Sequence, residues 1–336
     1  MPKLSIICPA YNAEKTISVA IESVINQDWD DFELIVIDDG STDSTLSIVN
    51  QYALDDNRIK PVHRTNGGQA EARSHGLSLA TGEWILFLDS DDSYQPGSFR
   101  KLLELASIES PDVLLFGFNI YSNHRLLRTP NGGYVKFQGD DIKAFKKIMG
   151  LMPSACNKLY RRDYIKVTFD KSVVHGEDSR FNYQNLVPGT TIISIPDCLY
   201  NVCLDTEGSV NKRYKKGRLF DTSFNFLLQL EVVSKVFTNK SEELLRTVYN
   251  EGVDRMATCL IQSQSKLSKQ DCIDEIRQSK TLISQINRFK PNHIEARVDK
   301  KLLWTAFSCF RTFAIYQLAR FINVIVYTAK WIRNRE

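Results

Sequence analysis

The sequence predicts an α/β protein: a mostly parallel central sheet flanked by helices, followed by a C-terminal helical region. Three observations carry this expectation. Over the first hundred residues, short apolar runs alternate with segments whose apolar residues recur three and four apart, the pattern of strand–helix units on both faces of a parallel sheet. Each run stops at a polar turn rich in Asp, Asn, Gly or Ser. From about residue 216 the runs give way to helical periodicity alone.

The elements follow in order. Residues 4–8 are apolar and stop at Pro9. Ile17, Ala20, Ile21, Val24 and Ile25 then recur at helical spacing behind Asn12, a candidate cap. Residues 32–37 form a second apolar run, which ends in Asp38-Asp39-Gly40-Ser41-Thr42-Asp43 and leads into a helix through Leu46 and Val49. Residues 59–62 predict a short third strand, Asn66-Gly67-Gly68 a turn, and residues 69–79 a helix carrying Arg73. The run 84–92, WILFLDSDD, predicts the central strand in its five apolar residues, which lead into three carboxylates. Beyond it come a strand at 113–118, a hairpin-like turn at Asn131-Gly132-Gly133, a helix at 142–149, and loops holding Tyr160, Arg161, Arg162, Tyr200 and Tyr214. Helices are expected at 219–236, 242–261 and 272–286, reading as a packing and positioning module.

A chain of 336 residues has room for an α/β domain of roughly 200 residues plus an appendage, and we expect the break between 1–215 and 216–336. The net charge of +3 is unevenly placed: residues 300–336 hold seven Lys/Arg and one Glu, leaving 36 basic against 39 acidic residues before them. This balance points to no nucleic-acid partner. Seven cysteines, an odd number without CxxC or Cys/His ligand spacing, encode neither a zinc site nor a disulfide framework, and they fit a reducing cytoplasm. The start, MPKLSIICPAYN, is too short in its apolar part for a signal peptide.

The run WILFLDSDD places Asp89, Asp91 and Asp92 where a buried strand emerges, the edge at which ligands bind in open α/β sheets. Residues two apart in an extended chain point the same way, so Asp89 and Asp91 can converge on a hard cation such as Mg²⁺ or Mn²⁺. From these residues alone, an acidic turn capping the next helix fits equally well. Neither GxGxxG after the first strand nor GxxxxGK[ST] occurs, so phosphate has to be handled by something other than a glycine-rich loop.

The runs SIICPAYNAE, ELIVIDDGSTDST, the Arg-containing helix after NGG, ILFLDSDD and HGEDSRFNYQ, in this order and spacing over roughly residues 1–210, resemble the glycosyltransferase family 2 enzymes of the GT-A fold. The resemblance implies an inverting, metal-dependent transfer of a sugar from a nucleotide sugar to a saccharide or lipid-linked saccharide, in cell-surface polysaccharide synthesis. It makes 1–110 the nucleotide-sugar half and 111–215 the acceptor half. It assigns Pro9, Tyr11 and Asp39 to the nucleoside, Arg73 and Asp89 to the donor, Asp89 and Asp91 to Mn²⁺ or Mg²⁺, and Asp178 to the catalytic base, with Glu177 beside it as fallback. An Asp39 carboxylate can accept the N3–H of uracil, which favours a UDP-sugar. The sequence departs from the family pattern at Ser74-His75, where an Asn commonly follows the helix Arg, and at Cys156, where an aromatic often precedes Asn157-Lys158-Leu159-Tyr160.

Two other readings are weighed against this one. Asp89-Ser90-Asp91-x-Ser93 resembles the nucleophile motif of haloacid-dehalogenase phosphohydrolases, but it falls on the fourth strand instead of the first and lacks that family's second acidic pair. A non-enzymatic membrane-surface protein would explain the basic tail and leave the acidic motifs idle. In that tail Leu303, Phe307, Phe310, Ala314, Leu318, Phe321, Ile325 and Ile332 recur three and four apart beside Arg311, Arg320, Lys330 and Arg333. Gln317, Arg320 and Asn323 interrupt it, so we expect a helix lying on an anionic membrane instead of spanning it, and a cytoplasmic protein held peripherally at the inner face.

Overall fold

Leu4–Ala10 (β1) is buried along its whole length. It lies between two parallel partners: Phe32–Asp38 (β2), paired from Leu4↔Phe32 to Ala10↔Asp38, and Trp84–Phe87 (β4), paired from Leu4↔Trp84 to Ile7↔Phe87. Strands covered on both faces read as unbroken apolar runs, which is why these three were legible. Ile59–His63 (β3) extends the parallel set beside β2. Between the strands run Ile17–Ile25 (α1), Thr45–Asp55 (α2) and Gln69–Leu79 (α3). Helix α3 lies close against the sheet because Gly76 carries no side chain: a Cβ there would sit 2.4 Å from Ile7 Cγ2.

The computed structural model describes residues 3–205, 214–237, 241–291, 304–305, 307, 312, 314–320 and 322. Two compact units result, one of Met1–Ser172 with Glu177–Ser209, the other of Val173–Gly176 with Val210–Glu336. In the first, Ser93–Tyr94 (β5) and Ser98–Glu109 (α4) follow β4. Then come Val113–Ser122 (β6), Arg125–Arg128 (β7), Val135–Gln138 (β8), Ile142–Ile148 (α5), Lys158–Arg161 (β9), Glu177–Asn185 (α6) and Thr191–Cys203 (β10). The sheet runs β3-β2-β1-β4-β9-β6-β10-β5, with β7 bonded to β6 and β8 to β10. Its first four strands are parallel, as expected. Strand β9 then pairs antiparallel with both β4 and β6, so the sheet is mixed from that point.

Several expectations are corrected. The central strand stops at Phe87, and Asp89 to Asp92 lie just beyond its emerging end, as expected, but in a turn instead of the extended chain that would point Asp89 and Asp91 the same way. The hairpin is at Asn123-His124, both with positive φ (48° and 59°), where β6 turns into β7; residues 129–134 instead join β7 to β8, which pair with different strands. Tyr160 and Tyr200 lie on β9 and β10, each 1% exposed, instead of on loops.

The second unit is helical: Arg218–Val236 (α7), Ser241–Lys266 (α8), Lys269–Lys280 (α9) and Ile283–Ile286 (α10). The helix expected over 272–286 is therefore two, broken at Thr281-Leu282. Helix α8 meets α7 at Gly252, where a Cβ would lie 2.1 Å from the Phe226 ring. Phe226, Tyr249 and Trp304 form an aromatic cluster with centroids 5.5–5.9 Å apart, and the Trp304 indole N–H donates to Tyr249 Oη at 3.2 Å. Of the expected tail stripe, Phe307 is buried, Leu318 half-buried and Ala314 exposed; Leu303, Phe310, Phe321, Ile325 and Ile332 lie outside the described residues. The buried positions are Trp304, Phe307, Ile315, Tyr316, Ala319 and Ile322. Packing of Trp304 on Tyr249 and Phe226 sets the covered face at the start of the tail. Among the described residues no helix is long and apolar enough to cross a membrane.

Candidate active site

Because β1, β2 and β4 are parallel, their carboxyl ends share one edge, and the turns that follow them carry Pro9 to Asn12, Asp38 to Thr45 and Asp89 to Asp92. The first two turns are laced together. Asn12, at φ 49°, accepts the Thr42 N–H on Oδ1 at 2.8 Å and donates its own N–H to Ser41 Oγ at 3.0 Å. The Ala13 N–H donates to Thr45 Oγ1 at 2.7 Å, and Glu14 Oε2 accepts the Ser44 N–H at 3.0 Å. Pro9 is buried at the end of β1, whereas Tyr11 stands 53% exposed at the crest.

Asp39 is buried, and its carboxylate sits at the N-terminus of α3. Oδ2 accepts the Gly68 N–H at 2.7 Å, and the Gly67 N–H lies 3.0 Å from Oδ1. Free N–H groups at a helix start favour an anion, so this placement is stabilising as well as positioning. The Arg64 guanidinium, itself bonded to Glu71 at 2.7 Å, lies 3.4 Å from Asp39.

Arg73 is the hub of the other half of the site. Its guanidinium, 2% exposed, donates from one Nη to Asp89 Oδ1 at 2.6 Å and from the other to Asp178 Oδ1 at 2.6 Å, with Glu177 Oε1 at 3.4 Å. Among the described residues its Nε has no hydrogen-bond partner, although it is buried. The planar fork joins the turn after β4 to the first turn of α6, where Asp178 lies 105 residues from Arg73 along the chain. It stands over the Phe169 ring at 5.4 Å, and Phe169 stacks on Phe181 at 4.1 Å and meets Phe87 edge-on at 5.2 Å. Burial opposes the charge on Arg73, but Asp178 and Asp89 more than offset it and hold the group firmly protonated.

Asp178 and Glu177 open α6, where the helix N-terminus favours carboxylates. Asp178 keeps 21% of its side chain exposed, and Oδ2 accepts the Ala155 N–H at 3.0 Å. Burial raises its pKa and Arg73 pulls it down; the charges of Glu177 and Asp89 raise it further, to about 6. Helix α6 is fixed by buried amides: Asn182 Oδ1 accepts from Tyr160 Oη at 2.6 Å, and Asn185 Oδ1 accepts the Lys166 N–H at 2.8 Å.

The acidic turn is the candidate cation site. Asp89 Oδ1 is engaged by Arg73 and by Gln69 Nε2 at 3.1 Å, while the Asp89 N–H donates to Tyr200 Oη at 3.0 Å. Asp92 is buried and accepts the Cys203 N–H at 2.9 Å. Its pKa is driven well up by burial and then by the negative charges of Asp89 and Asp91, so negative potential is concentrated at this turn. Hard carboxylate oxygens in such a field suit Mg²⁺ or Mn²⁺. Among the described residues no three His, Cys, Asp or Glu side chains form a metal cage, so an ion here would need water and phosphate oxygens to complete its shell, as Mg²⁺ does in nucleotide sites.

The structure joins Asp89 and Asp178 through Arg73, which bonds each of them, and sets Asp39 roughly 10 Å along the same edge, two strand spacings away. Sequence reasoning missed Arg64, Gln69, Ala155 and Phe169. Only Gly67-Gly68, a turn opening a helix, carried a local signal of what holds Asp39.

The sheet edge gathers a backbone-held carboxylate at Asp39, an acidic turn and a guanidinium-linked carboxylate, on a mostly parallel sheet flanked by helices that has the GT-A fold. Residues 5–169 match the family described as Glycosyl transferase family 2, so the chain carries a glycosyltransferase domain of that family. The match decides against the phosphohydrolase and the non-enzymatic readings. EpsH of Bacillus subtilis (strain 168) is 27% identical over 293 residues, 82% of this chain and 81% of EpsH. The GalNAc(5)-diNAcBac-PP-undecaprenol beta-1,3-glucosyltransferase of Campylobacter jejuni is 41% identical over 109 residues, 32% of this chain and 35% of that protein. The crystal structure of S. aureus TarS 1–349 in complex with UDP-GlcNAc superposes with a TM-score of 0.75 over 97% of this chain and 92% of that one, at 21% identity, which shows a shared fold.

Proposed function

We propose that the enzyme transfers a sugar from a UDP-sugar to a saccharide or lipid-linked saccharide acceptor, with inversion at the anomeric carbon. The observation that carries this reading is the Arg73 bridge. One guanidinium separates the acidic turn at Asp89, suited to the donor's diphosphate, from Asp178, a carboxylate suited to deprotonating an acceptor hydroxyl. In-line displacement needs this division, with the leaving group on one side of the anomeric carbon and the base on the other. The UDP-GlcNAc bound by TarS supports the donor class, and the undecaprenol-linked acceptor in the name of the Campylobacter enzyme supports the acceptor class.

In this reading Pro9, Tyr11 and Asp39 hold the nucleoside. The exposed Tyr11 ring offers an aromatic face, and Asp39 offers an acceptor to uracil N3–H. A divalent ion at Asp91, with Asp89 directly or through water, would act as a Lewis acid on the departing diphosphate. Arg73 orients Asp89 and Asp178 relative to each other. Asp178, with a pKa raised to about 6, is largely ionised at neutral pH yet basic enough to accept a proton. Peripheral contact with an anionic membrane belongs to the same proposal. In the described part of the tail it falls to exposed residues such as Arg320, and flotation on anionic but not neutral vesicles is the expected result.

The test is Asp178→Asn. We expect UDP to bind as in the parent while transfer falls by at least roughly 10²-fold, with the parent's product carrying the inverted anomeric configuration. Near-normal transfer by the variant, or a product that retains the donor's configuration, would overturn the assignment. Activity should also vanish in chelator and return with Mn²⁺ or Mg²⁺; full activity of Asp91→Asn would remove that turn as the metal site.

A further inference from the structure

Lys158 lies on β9 with only 1% of its surface exposed, and the reaction outlined above does not use it. Burial pushes its ammonium down to about 7. All three of its hydrogens have acceptors: the Leu151 carbonyl at 2.9 Å, Asn157 Oδ1 at 2.9 Å and the Ser154 carbonyl. Two of these belong to the segment 151–155, which lies outside the sheet. Asn182 Nδ2 donates to the same Ser154 carbonyl at 3.0 Å. The next residue, Ala155, turns its N–H onto Asp178 Oδ2 at 3.0 Å.

A buried ammonium is costly, and a methionine would fill much the same volume without that cost. Lysine at this position therefore needs a reason beyond packing, and the acceptors supply it. Backbone carbonyls crowded together repel one another. A cation between them lets the segment close into the one shape that aims Ala155 N–H at the carboxylate.

We propose that Lys158 is a positioning residue for the general base: its ammonium gathers the Leu151 and Ser154 carbonyls and Asn157, and so holds Ala155 N–H on Asp178. The proposal rests on Asp178 being the base and adds what holds that base. The charged and titratable groups around Asp178 are Arg73 from α3, Glu177 on α6, Asp89 after β4, and Cys156, Lys158 and Tyr160 from the stretch leading into and along β9. A backbone N–H bonded to a carboxylate favours its ionised form, so releasing the segment leaves Asp178 protonated to higher pH.

The experiment follows the Asp178 carboxyl by carbon-13 NMR in the full-length protein, with its resonance assigned through Asp178→Asn, alongside transfer as a function of pH. In Lys158→Met the Asp178 midpoint should rise by about one unit, and transfer near pH 6 should fall roughly fivefold while that at pH 8 changes little. Lys158→Gln keeps two N–H donors for the two carbonyls and should return the midpoint towards the parent value. Ala155→Pro removes the N–H itself and should reproduce the rise, which keeps the idea testable if Lys158→Met does not fold. A folded Lys158→Met, or an Ala155→Pro, with the parental midpoint would overturn the proposal. A midpoint that rises while the acid limb of transfer stays in place would uphold the positioning and instead remove Asp178 as the base.

Discussion

Asp39 and Asp178 stand along one sheet edge and differ in the charge that holds them. Asp39 receives neutral backbone N–H groups from Gly67 and Gly68 at the start of α3, with the Arg64 guanidinium farther off at 3.4 Å. Asp178 receives one backbone N–H, from Ala155, and a buried guanidinium that it shares with Asp89 and Glu177. Backbone donors fix direction and follow the helix wherever it goes. A shared cation couples every group it touches, so the protonation of one depends on the others. The first arrangement suits recognition of a fixed hydrogen-bonding edge, and the second suits a group that exchanges a proton during the reaction.

Removing the shared cation is expected to have the largest effect. Arg73→Met leaves Asp89, Glu177 and Asp178 facing one another without their counter-charge, and breaking a buried pair in this way costs about 3–5 kcal/mol. Denaturant unfolding should show that loss, with transfer abolished. The corresponding change on the other side, Asp39→Ala, removes only a helix-capping carboxylate, worth about 1 kcal/mol. If the two variants lose equal stability, the distinction between a coupling cation and a local cap fails.

The second prediction separates the two regions by pH. With Asp178 at about 6, transfer should fall tenfold for each unit below pH 6 and level off above it, because only the ionised carboxylate accepts the acceptor's proton. The sign for stability is the reverse. The folded value lies above the ordinary 3.8, so the group's contribution to stability is complete below pH 3.8 and is lost as pH rises through 6. The fold thus gives up some stability to keep the carboxylate ionised at neutral pH. UDP binding, which depends on the Asp39 side, should stay level between pH 6 and 8. A UDP affinity that follows the acid limb of transfer would show that the two regions titrate together.

The two regions also differed in how far the sequence revealed them. Strands β1, β2 and β4, buried on both faces, announced themselves as apolar runs ending in polar turns; Asp39 and Asp89 could be named from two of those turns with the family resemblance, and Asp178 from the resemblance alone. Strand β9 did not, because Lys158-Leu159-Tyr160-Arg161 looks like a solvated stretch until Lys158 and Tyr160 are seen buried. The hairpin was placed at Asn131-Gly132-Gly133 because glycine is the stronger turn signal, whereas the chain turns at Asn123-His124 by adopting positive φ without glycine. The link from Arg73 to Asp178 spans 105 residues, and the N–H of Ala155 has no side chain to mark it. Contacts made by backbone atoms, or by residues far apart in the chain, leave no local pattern to read.

The last prediction concerns the smallest effect and the finest part of the comparison. Asp39→Asn keeps an oxygen for the Gly68 N–H but turns an amide NH₂ towards the Gly67 N–H, so the side chain loses an acceptor without leaving a hole. Uracil N3–H would lose its carboxylate partner as well. We expect UDP affinity to drop about tenfold, or about 1.4 kcal/mol, and the preference for UDP over GDP and CMP to shrink, while kcat stays within roughly threefold. Calorimetry with the three nucleotides, with saturation kinetics beside it, reads both quantities. Equal affinity of the parent protein for UDP, GDP and CMP would remove Asp39 as the reader of the base. A kcat that falls as far as that of Asp178→Asn would mean that Asp39 belongs with the coupled carboxylates and not with the recognition side.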